Sequence, residues 1–311
     1  MADKKKVIIV CGPTASGKTG LAIHIAQNFN GEIISADSMQ IYRGLDIGTA
    51  KATPEEQAAV KHHLVDIMDP DSPYNVQMFC EMASQAIEDI TQRGKIPVIA
   101  GGTGLYIESL INGIKFSEQE DNSAIKAELK RELEMHGPAH MYNILRGIDP
   151  EYAATVHPNN TVRVLRAIEI YRLTGKSMSR QIADSRPDEL PYDCLILGLK
   201  TEDREVLYKN INLRVDIMVQ QGVLDEAKYV FENRDRFKTC VSAIGYKEFF
   251  PYFSGEKSLE ECTEKLKQAS RNYAKRQLTW FNRMNNINWL YTDKEDYRHK
   301  AVEITNNFLG K

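Results

Sequence analysis

One stretch constrains this chain more than any other: Gly12-Pro13-Thr14-Ala15-Ser16-Gly17-Lys18-Thr19. It fits the pattern G-x-x-x-x-G-K-[ST] at every fixed position. The apolar run Val7 to Cys11 predicts a strand before it. Leu21, Ile23, Ile25 and Ala26 predict a helix after it, closing near Phe29 and Gly31. Strand, glycine loop and helix in that order form a phosphate-binding loop. The glycines let the backbone N–H groups turn inward, and the helix N-terminus adds its positive end. Lys18 is placed to reach the outer phosphate oxygens and Thr19 to hold Mg²⁺. The chain therefore binds a polyphosphate, and the remaining residues must say what is done with it.

At 311 residues the chain suits one large domain or two ordinary ones. Its 42% hydrophobic and 27% charged content is that of a globular protein. No apolar run approaches the ~20 residues of a membrane span. Met1 to Lys6 leads straight into the first strand, so no signal peptide is expected, nor any membrane association. Cys11, Cys80, Cys194, Cys240 and Cys262 are scattered and make no C-x-x-C pair. That argues against a zinc site or disulfide framework and leads us to expect a cytoplasmic protein. With a net charge of −3, any nucleic-acid partner would need a local basic patch.

Glu32 to Ala36 predicts a second strand, ending at Asp37-Ser38-Met39-Gln40-Ile41-Tyr42. Ligands of open parallel sheets sit beyond the carboxyl ends of the strands, so Asp37 should lie near the loop. Its position alone fits both a helix or turn cap and a catalytic carboxylate. Thr53-Pro54-Glu55-Glu56 predicts a helix start. His62 to Ile67 predicts a strand. The paired histidines suggest metal, yet adjacent strand residues face opposite ways, which favours a structural role. Helical spacing runs from Tyr74 to Arg93, and Ile96 to Ala100 predicts a strand ending in Gly101-Gly102-Thr103-Gly104-Leu105-Tyr106.

From Phe116 the pattern changes to polar helices: Ser123 to Met135, Ala139 to Leu145 and Asn160 to Leu173. A run of helices interrupting a strand–helix alternation predicts an inserted all-helical subdomain over 116–190, set in a core of 1–115 and 191–311. Arg163 and Arg166 share one side of its last helix, fitting a solvated face or a ligand contact equally. The sheet resumes at Cys194 to Leu199. Helices are expected over Arg204 to Gln221, Val223 to Asn233 and Leu259 to Asn285, then a strand over Ile287 to Tyr291 and a helix over Lys300 to Leu309. By pattern alone Arg214 is a surface residue. In the long helix Lys267, Arg271 and Lys275 recur every four positions, with Arg276 and Arg283 beside them. Tyr273 and Trp280 are interleaved, so the stripe fits either a solvated face or an RNA-backbone footprint.

A hydrolase or switch built on this loop normally has an apolar strand ending in a metal-holding Asp. Here the Ile96 strand ends in glycines, Leu64-Val65-Asp66 is a poor substitute, and no N-K-x-D is present. A transferase is favoured. The chain then resembles the bacterial tRNA dimethylallyltransferase (tRNA isopentenyltransferase) family on six motifs in order. They are G-P-T-A-S-G-K-T at 12–19, D-S-M-Q-I-Y at 37–42, D-I-G-T-A-K at 46–51, G-G-T-G-L-Y at 101–106, R-V-L-R-A-I-E-I at 163–170 and K-R-Q-L-T-W-F at 275–281. The resemblance spans the whole chain without departure at these positions. The zinc-finger extension of some eukaryotic relatives is not expected.

The resemblance implies an α/β core like that of P-loop NTPases, with a mostly parallel sheet flanked by helices, plus the helical insertion. It implies transfer of a dimethylallyl group from dimethylallyl diphosphate to N6 of the adenosine just 3′ of the anticodon in tRNA. Gly12, Pro13, Thr14, Ala15, Ser16, Gly17, Lys18 and Thr19 would bind the diphosphate, with Mg²⁺ on Thr19 and Arg214 matching a family arginine that reaches it. Asp37 matches the general base; an ordinary ionised carboxylate suffices there, without a large pKa shift. Thr103 matches a position against the substrate. Asp37, Ser38, Met39 and Gln40, then Thr161, Val162, Arg163, Val164 and Leu165, the loop from Val241 to Gly245, and Arg271, Lys275 and Arg276 would line the tRNA path. The insertion would clasp the anticodon stem-loop, and the protein would act as a monomer.

Three rivals remain at this stage. An adenylate isopentenyltransferase acting on free nucleotide would not need the insertion or the basic helix. A small-molecule kinase would bind ATP on the same loop. A non-catalytic RNA-binding protein would tolerate loss of Asp37.

Overall fold

A computed structural model describes residues 4–116, 122–294 and 296–310. By its internal contacts the chain divides into two units, Met1–Ile111 with Pro191–Lys311, and Asn112–Leu190. The boundary falls a few residues before the change of sequence pattern at Phe116.

The first unit is built on six parallel strands: β1 (Lys5–Cys11), β2 (Gly31–Ser35), β3 (His62–His63), β4 (Ile96–Gly101), β5 (Tyr192–Lys200) and β6 (Ile287–Tyr291). Their order across the sheet is β3-β2-β4-β1-β5-β6. Parallel strands need crossovers, and helices supply them: α1 (Lys18–Asn28), α2 (Pro54–Ala59), α3 (Val76–Gln92) and α4 (Gly104–Ile111). Central strands of such a sheet are covered on both faces and read as continuous apolar runs. Val7 to Cys11 in β1 are accordingly fully buried. Ile8, Val10, Leu21, Ile25, Leu197 and Leu290 join one core around α1. The connection leaving β1 passes over β4 to β2, while β5 pairs on the other side of β1. A crevice therefore opens at the carboxyl end of β1, where ligands of such sheets bind.

The expected strand over His62 to Ile67 is corrected by the structure. Only His62 and His63 pair, with Ile33 and Ile34 of β2. Leu64 and Asp66 take φ of 60° and 55°, which turn the chain out of the sheet. His63 Nε2 bonds to Glu32 at 2.8 Å and His62 Nδ1 to the Val60 carbonyl at 2.8 Å. The pair diverges, as alternation on a strand requires.

After β5 come α9 (Arg204–Gln220), α10 (Val223–Glu232), two short 3₁₀ turns (Cys240–Ser242 and Lys247–Phe249), α11 (Phe250–Phe253) and α12 (Leu259–Phe281). Ser258 and Glu261 form a capping box that starts α12. Then α13 (Tyr297–Leu309) follows β6, starting earlier than expected because Asp296 caps it through His299 N. The five cysteines are free thiols. Among the described residues no helix is long and apolar enough to cross a membrane.

The second unit is helical: α5 (Ser123–Ile148), α6 (Pro150–Thr155), α7 (Thr161–Thr174) and α8 (Met178–Asp184). Gly137, at φ 76° and ψ 172°, breaks α5 ahead of Pro138, so two helical pieces meet there, as the sequence pattern predicts. Asp149 caps α6 through Tyr152 N and reaches Ser179 N at 2.8 Å, tying α6 to α8. Leu129, Met141, Leu145, Val164, Ala167 and Ile168 form its core. Arg166 donates to the buried carboxylate of Glu169 at 2.5 Å, whereas Arg163 and Val162 are exposed.

Candidate active site

The glycine loop leaves β1 in a conformation the sequence makes possible. Gly12 has φ 148°, and a Cβ there would sit 2.6 Å from the Leu199 carbonyl oxygen. Gly17, at φ 85°, turns the loop into α1. Two side chains fold back on the loop: Ser16 Oγ donates to the Pro13 carbonyl at 2.8 Å and Lys18 Nζ to the same oxygen at 2.6 Å.

A side chain from far along the chain fixes the loop from outside. The Thr14 N–H donates to Gln277 Oε1 at 2.8 Å, and Gln277 Nε2 donates to the Gly102 carbonyl at 2.9 Å. Gln277 thus staples α12 to the loop and to the end of β4. A Cβ at Gly102 would lie 2.1 Å from that amide nitrogen, so a larger residue there would have to displace the Gln277 amide. The sequence did offer a signal: Gln277 lies one turn from Ala274 and Phe281 on the buried side of α12, where a polar side chain needs partners.

Asp37 follows β2 at the mouth of the same crevice. Its Oδ1 accepts from Met39 N at 2.8 Å and Gln40 N at 3.3 Å. It is therefore the cap of its own turn, and it also faces the loop. Gln40 extends the network: its Oε1 accepts from Ser35 Oγ at 2.8 Å, and its Nε2 reaches the carbonyls of Thr49 and Ala50 at 3.3 and 3.2 Å. Arg214, on α9, donates to Thr14 Oγ1. The surface position its pattern suggests is corrected here. Arg214 is half-buried, and its Nε is enclosed without a partner.

Burial and mutual charge tune these three groups. Lys18 is pushed down to about 8, by burial first and then by the Arg214 charge, with Asp37 and Cys11 opposing. Arg214 is also lowered, again mainly by burial. Burial raises Asp37 above the ordinary carboxylate value, against the Met39 and Gln40 N–H groups and the two cations. The role read from the sequence needs no large shift at Asp37, and in the structure burial raises its pKa. Two cations and one anion leave the crevice net positive, prepared for a polyanion.

Two cavities meet at these residues. The first holds Lys18, Thr19, Ser35, Gln40, Gly102 and Gln277 in its wall. The second is walled by Ser38, Met39, Gly48, Ser242, Gly245 and Arg276. Thr14, Asp37, Thr49, Arg214 and Tyr273 belong to both. The first chamber takes in Thr14, Lys18 and Thr19 of the phosphate loop, the second only Thr14, and Asp37 stands where they join.

The structure brings some anticipated residues together and leaves others aside. Thr103 lines neither cavity, and its buried hydroxyl lies against Tyr273. Val241 lines neither, although Ser242 to Gly245 do. The every-fourth stripe of α12 turns toward α9: Lys267 pairs with Asp216 at 2.8 Å, Arg271 donates to Asn212 at 2.6 Å, and Lys275 lies 6.0 Å over the Tyr208 ring. Arg276, off the stripe, is the one that reaches the cavity wall. Thr161 to Leu165 belong to the helical unit. Among the described residues no group of three or more His, Cys, Asp or Glu could hold a metal. The donors near the loop are hard oxygens, Thr19 and Asp37. Such a set suits Mg²⁺, an ion that takes one or two protein oxygens beside phosphate and water.

Known proteins were compared with this chain. The IPP transferase family profile matches residues 40–284, and an isopentenyl transferase profile matches 5–67. A tRNA dimethylallyltransferase of Bacillus cytotoxicus is 45% identical over 310 residues, 99% of this chain and 96% of that protein. That of Bacillus subtilis is 44% identical over 309 residues, 99% of this chain and 98% of its own length. A crystal structure of a tRNA isopentenylpyrophosphate transferase from Staphylococcus epidermidis superposes with a TM-score of 0.71 at 45% identity, covering 99% of both chains. A eukaryotic dimethylallyltransferase acting on tRNA superposes with a TM-score of 0.81 at 35% identity, covering 98% of this chain and 80% of that one.

Proposed function

The chain belongs to the tRNA dimethylallyltransferase (IPP transferase) family, and from that premise we propose how its two chambers divide the reaction. It is a transferase that moves a dimethylallyl group to tRNA. The donor is dimethylallyl diphosphate and the acceptor is N6 of the adenosine immediately 3′ of the anticodon. The observation that carries this reading is the shared wall. A phosphate-loop chamber and a second chamber meet at Asp37, Thr14 and Arg214. A hydrolase needs no second chamber opening onto its carboxylate; a kinase would have one for its own acceptor, and membership of the family separates that reading from this one.

The chemistry fits that wall. The diphosphate lies on the loop N–H groups, Lys18 and Arg214, whose guanidinium fork matches phosphate oxygens. The adenosine, turned out of the RNA stack, enters the second chamber, as base-modifying enzymes require. The N6 lone pair forms a bond to C1 of the dimethylallyl group. The C1–O bond breaks, and its electron pair leaves with diphosphate. Negative charge grows on the leaving group, where fixed cations and amides stabilise it best. N6 becomes acidic as the C–N bond forms, and its proton passes to Asp37. The Thr19 hydroxyl, with diphosphate oxygens, would hold Mg²⁺, which adds positive charge against the leaving group. Ser38, Met39, Gly245 and Arg276 would line the RNA path, and the helical unit, with Thr161 to Leu165, would contact the anticodon stem-loop.

The test is mass spectrometry of digested, unmodified tRNA after incubation with the protein, Mg²⁺ and dimethylallyl diphosphate, with ATP in a parallel tube. One dimethylallyl addition, on the adenosine beside the anticodon and only with the diphosphate, is the expected result. Unchanged tRNA with ATP consumed would overturn the reading and favour a kinase.

A further inference from the structure

We propose that Glu226, which lines neither chamber, is a positioning residue that sets the shape of the acceptor chamber. The inference rests on the assignment of the second chamber to the RNA. Glu226 lies in the first turn of α10, and its carboxylate takes four donors. Oε1 accepts from Asp46 N at 2.9 Å and Ile47 N at 2.8 Å. Oε2 accepts from Gly48 N at 3.0 Å and the Tyr246 hydroxyl at 2.9 Å. Three successive backbone N–H groups converging on one anion make a nest, here filled by the protein's own side chain.

The two segments held this way both line the chamber, Gly48 and Thr49 from one and Ala243, Ile244 and Gly245 from the other. They touch at the closest approach glycine permits. A Cβ at Gly48 would meet the Tyr246 ring at 2.3 Å, and one at Gly245 would meet the Gly48 carbonyl at 2.8 Å. Tyr246 is fully buried, so its hydroxyl has to find a partner inside, and Glu226 is that partner.

The anchored loop also reaches the reacting centre. The carbonyls of Thr49 and Ala50, just past the nest, take the Gln40 amide. Gln40 N in turn donates to Asp37 Oδ1. A path of bonded groups thus runs from Glu226 through the loop to the Asp37 turn, without touching the phosphate loop. Loss of Glu226 should therefore disturb acceptor more than donor, because Gly48 and Gly245, at the two segments it holds directly, line the second chamber alone, while Gln40 and Ala50 of the first chamber are one link further away.

The predicted signature is a split between substrates. In Glu226→Gln one oxygen is replaced by a donor, which faces other donors. Catalytic efficiency on an anticodon stem-loop RNA should fall about 10–100-fold, mostly in KM for the RNA, the scale expected for hydrogen bonds to a charged group. The dissociation constant for dimethylallyl diphosphate, measured by calorimetry, should stay within about twofold of wild type. Tyr246→Phe removes one donor and keeps the ring, so it should give the same split at about 3–10-fold and carries the test if the first variant does not fold. Wild-type efficiency on RNA in both variants would overturn the proposal. So would a parallel fall of RNA affinity, donor affinity and Tm, which would mark a purely structural residue. Failure of the wild-type protein to modify RNA would instead overturn the reading on which the proposal rests, so the two failures are distinguishable.

Discussion

A carboxylate stands near each end of strand β2, Glu32 within it and Asp37 two residues past it, and the two sit in opposite settings. Glu32, at the amino end, is 2% exposed and fully paired. Arg93 takes it with both Nη atoms, Lys95 donates at 2.8 Å, and His63 bonds at 2.8 Å. The Arg93 guanidinium above all, with Lys95 and His63, holds its carboxyl well below the usual range despite burial. Asp37, at the carboxyl end, also has two cations near it, yet neither bonds to it. Lys18 is turned to the Pro13 carbonyl and Arg214 to Thr14, while Asp37 is bonded only by backbone N–H groups. Its pKa moves up, not down. The lesson is that charges of the same signs build either a clamp or a working site, depending on whether the bonds between them are completed. At Glu32 they are. At Asp37 they are not, and on the proposed reading the cations are kept for the diphosphate and the second carboxylate oxygen takes the proton.

The largest effect should come from breaking the working end. Asp37→Asn keeps the Oδ1 acceptor for Met39 and Gln40 and removes the base. We expect kcat on tRNA to fall about 10²–10⁴-fold, with donor affinity equal or tighter because a neighbouring negative charge is gone. Tm at pH 7 should not fall. The folded pKa of Asp37 is raised, so its charge opposes folding at neutral pH and its loss relieves a cost. A fall in Tm without a fall in kcat would reverse the roles given to the two ends.

The clamp should respond in the opposite sense. Glu32→Gln leaves Arg93 and Lys95 without their anion. Both side chains are 35% exposed and can recover water, so the loss should be about 2 kcal/mol, below the 3–5 of a fully buried pair. That corresponds to a Tm lower by roughly 4–8 °C, with kcat unchanged. The pH dependence has a fixed sign. A depressed carboxyl stabilises above its unfolded pKa of about 4.3 and loses that contribution as pH falls below it. Acid titration of Tm should therefore show a limb in the wild type that is reduced in Glu32→Gln.

The sequence made one end of β2 far more legible than the other. Asp37 could be placed by topology, because a residue after a strand in a parallel sheet must lie near the ligand crevice. The loop of Gly12 to Thr19, the strands and the interruption of the alternation by helices were open to the same kind of argument from period and glycine position. What stayed hidden depends on contacts between residues far apart in the chain. The nearest partners of Glu32 in sequence are 29 residues away or more, so nothing local marks it. Glu226 and the inward turn of Arg214 share that property, whereas for Gln277 the helical spacing marks the burial but not the partners. Helical spacing can say that a residue is off the apolar face, but not that another element waits there. The short β3 failed for a different reason: β-branched and apolar residues promised a strand, and left-handed backbone at Leu64 and Asp66 ended it.

The smallest expected effect separates the cations themselves. Lys18 is pushed down to about 8, first by burial and then by Arg214, so it loses its proton in an accessible range. A polyanion binds the protonated form, and affinity for dimethylallyl diphosphate should therefore be level below pH 8 and weaken above it. At pH 9 the dissociation constant should be about fivefold to tenfold higher than at pH 7, one unit of pH past the pKa being worth at most tenfold. Near pH 8 binding should also draw in a fraction of a proton, visible as a dependence of the calorimetric heat on the buffer. The stability effect has the opposite sign. Lys18 holds its proton less well folded than unfolded, so stability rises between pH 8 and about 10.4, where the unfolded chain is still protonated. Lys18→Arg puts a permanent charge at the same place. Its donor affinity should be flat from pH 7 to 9, whatever its absolute value. An unchanged pH profile in that variant would remove Lys18 from the explanation and shift it to the ionisation of the diphosphate itself.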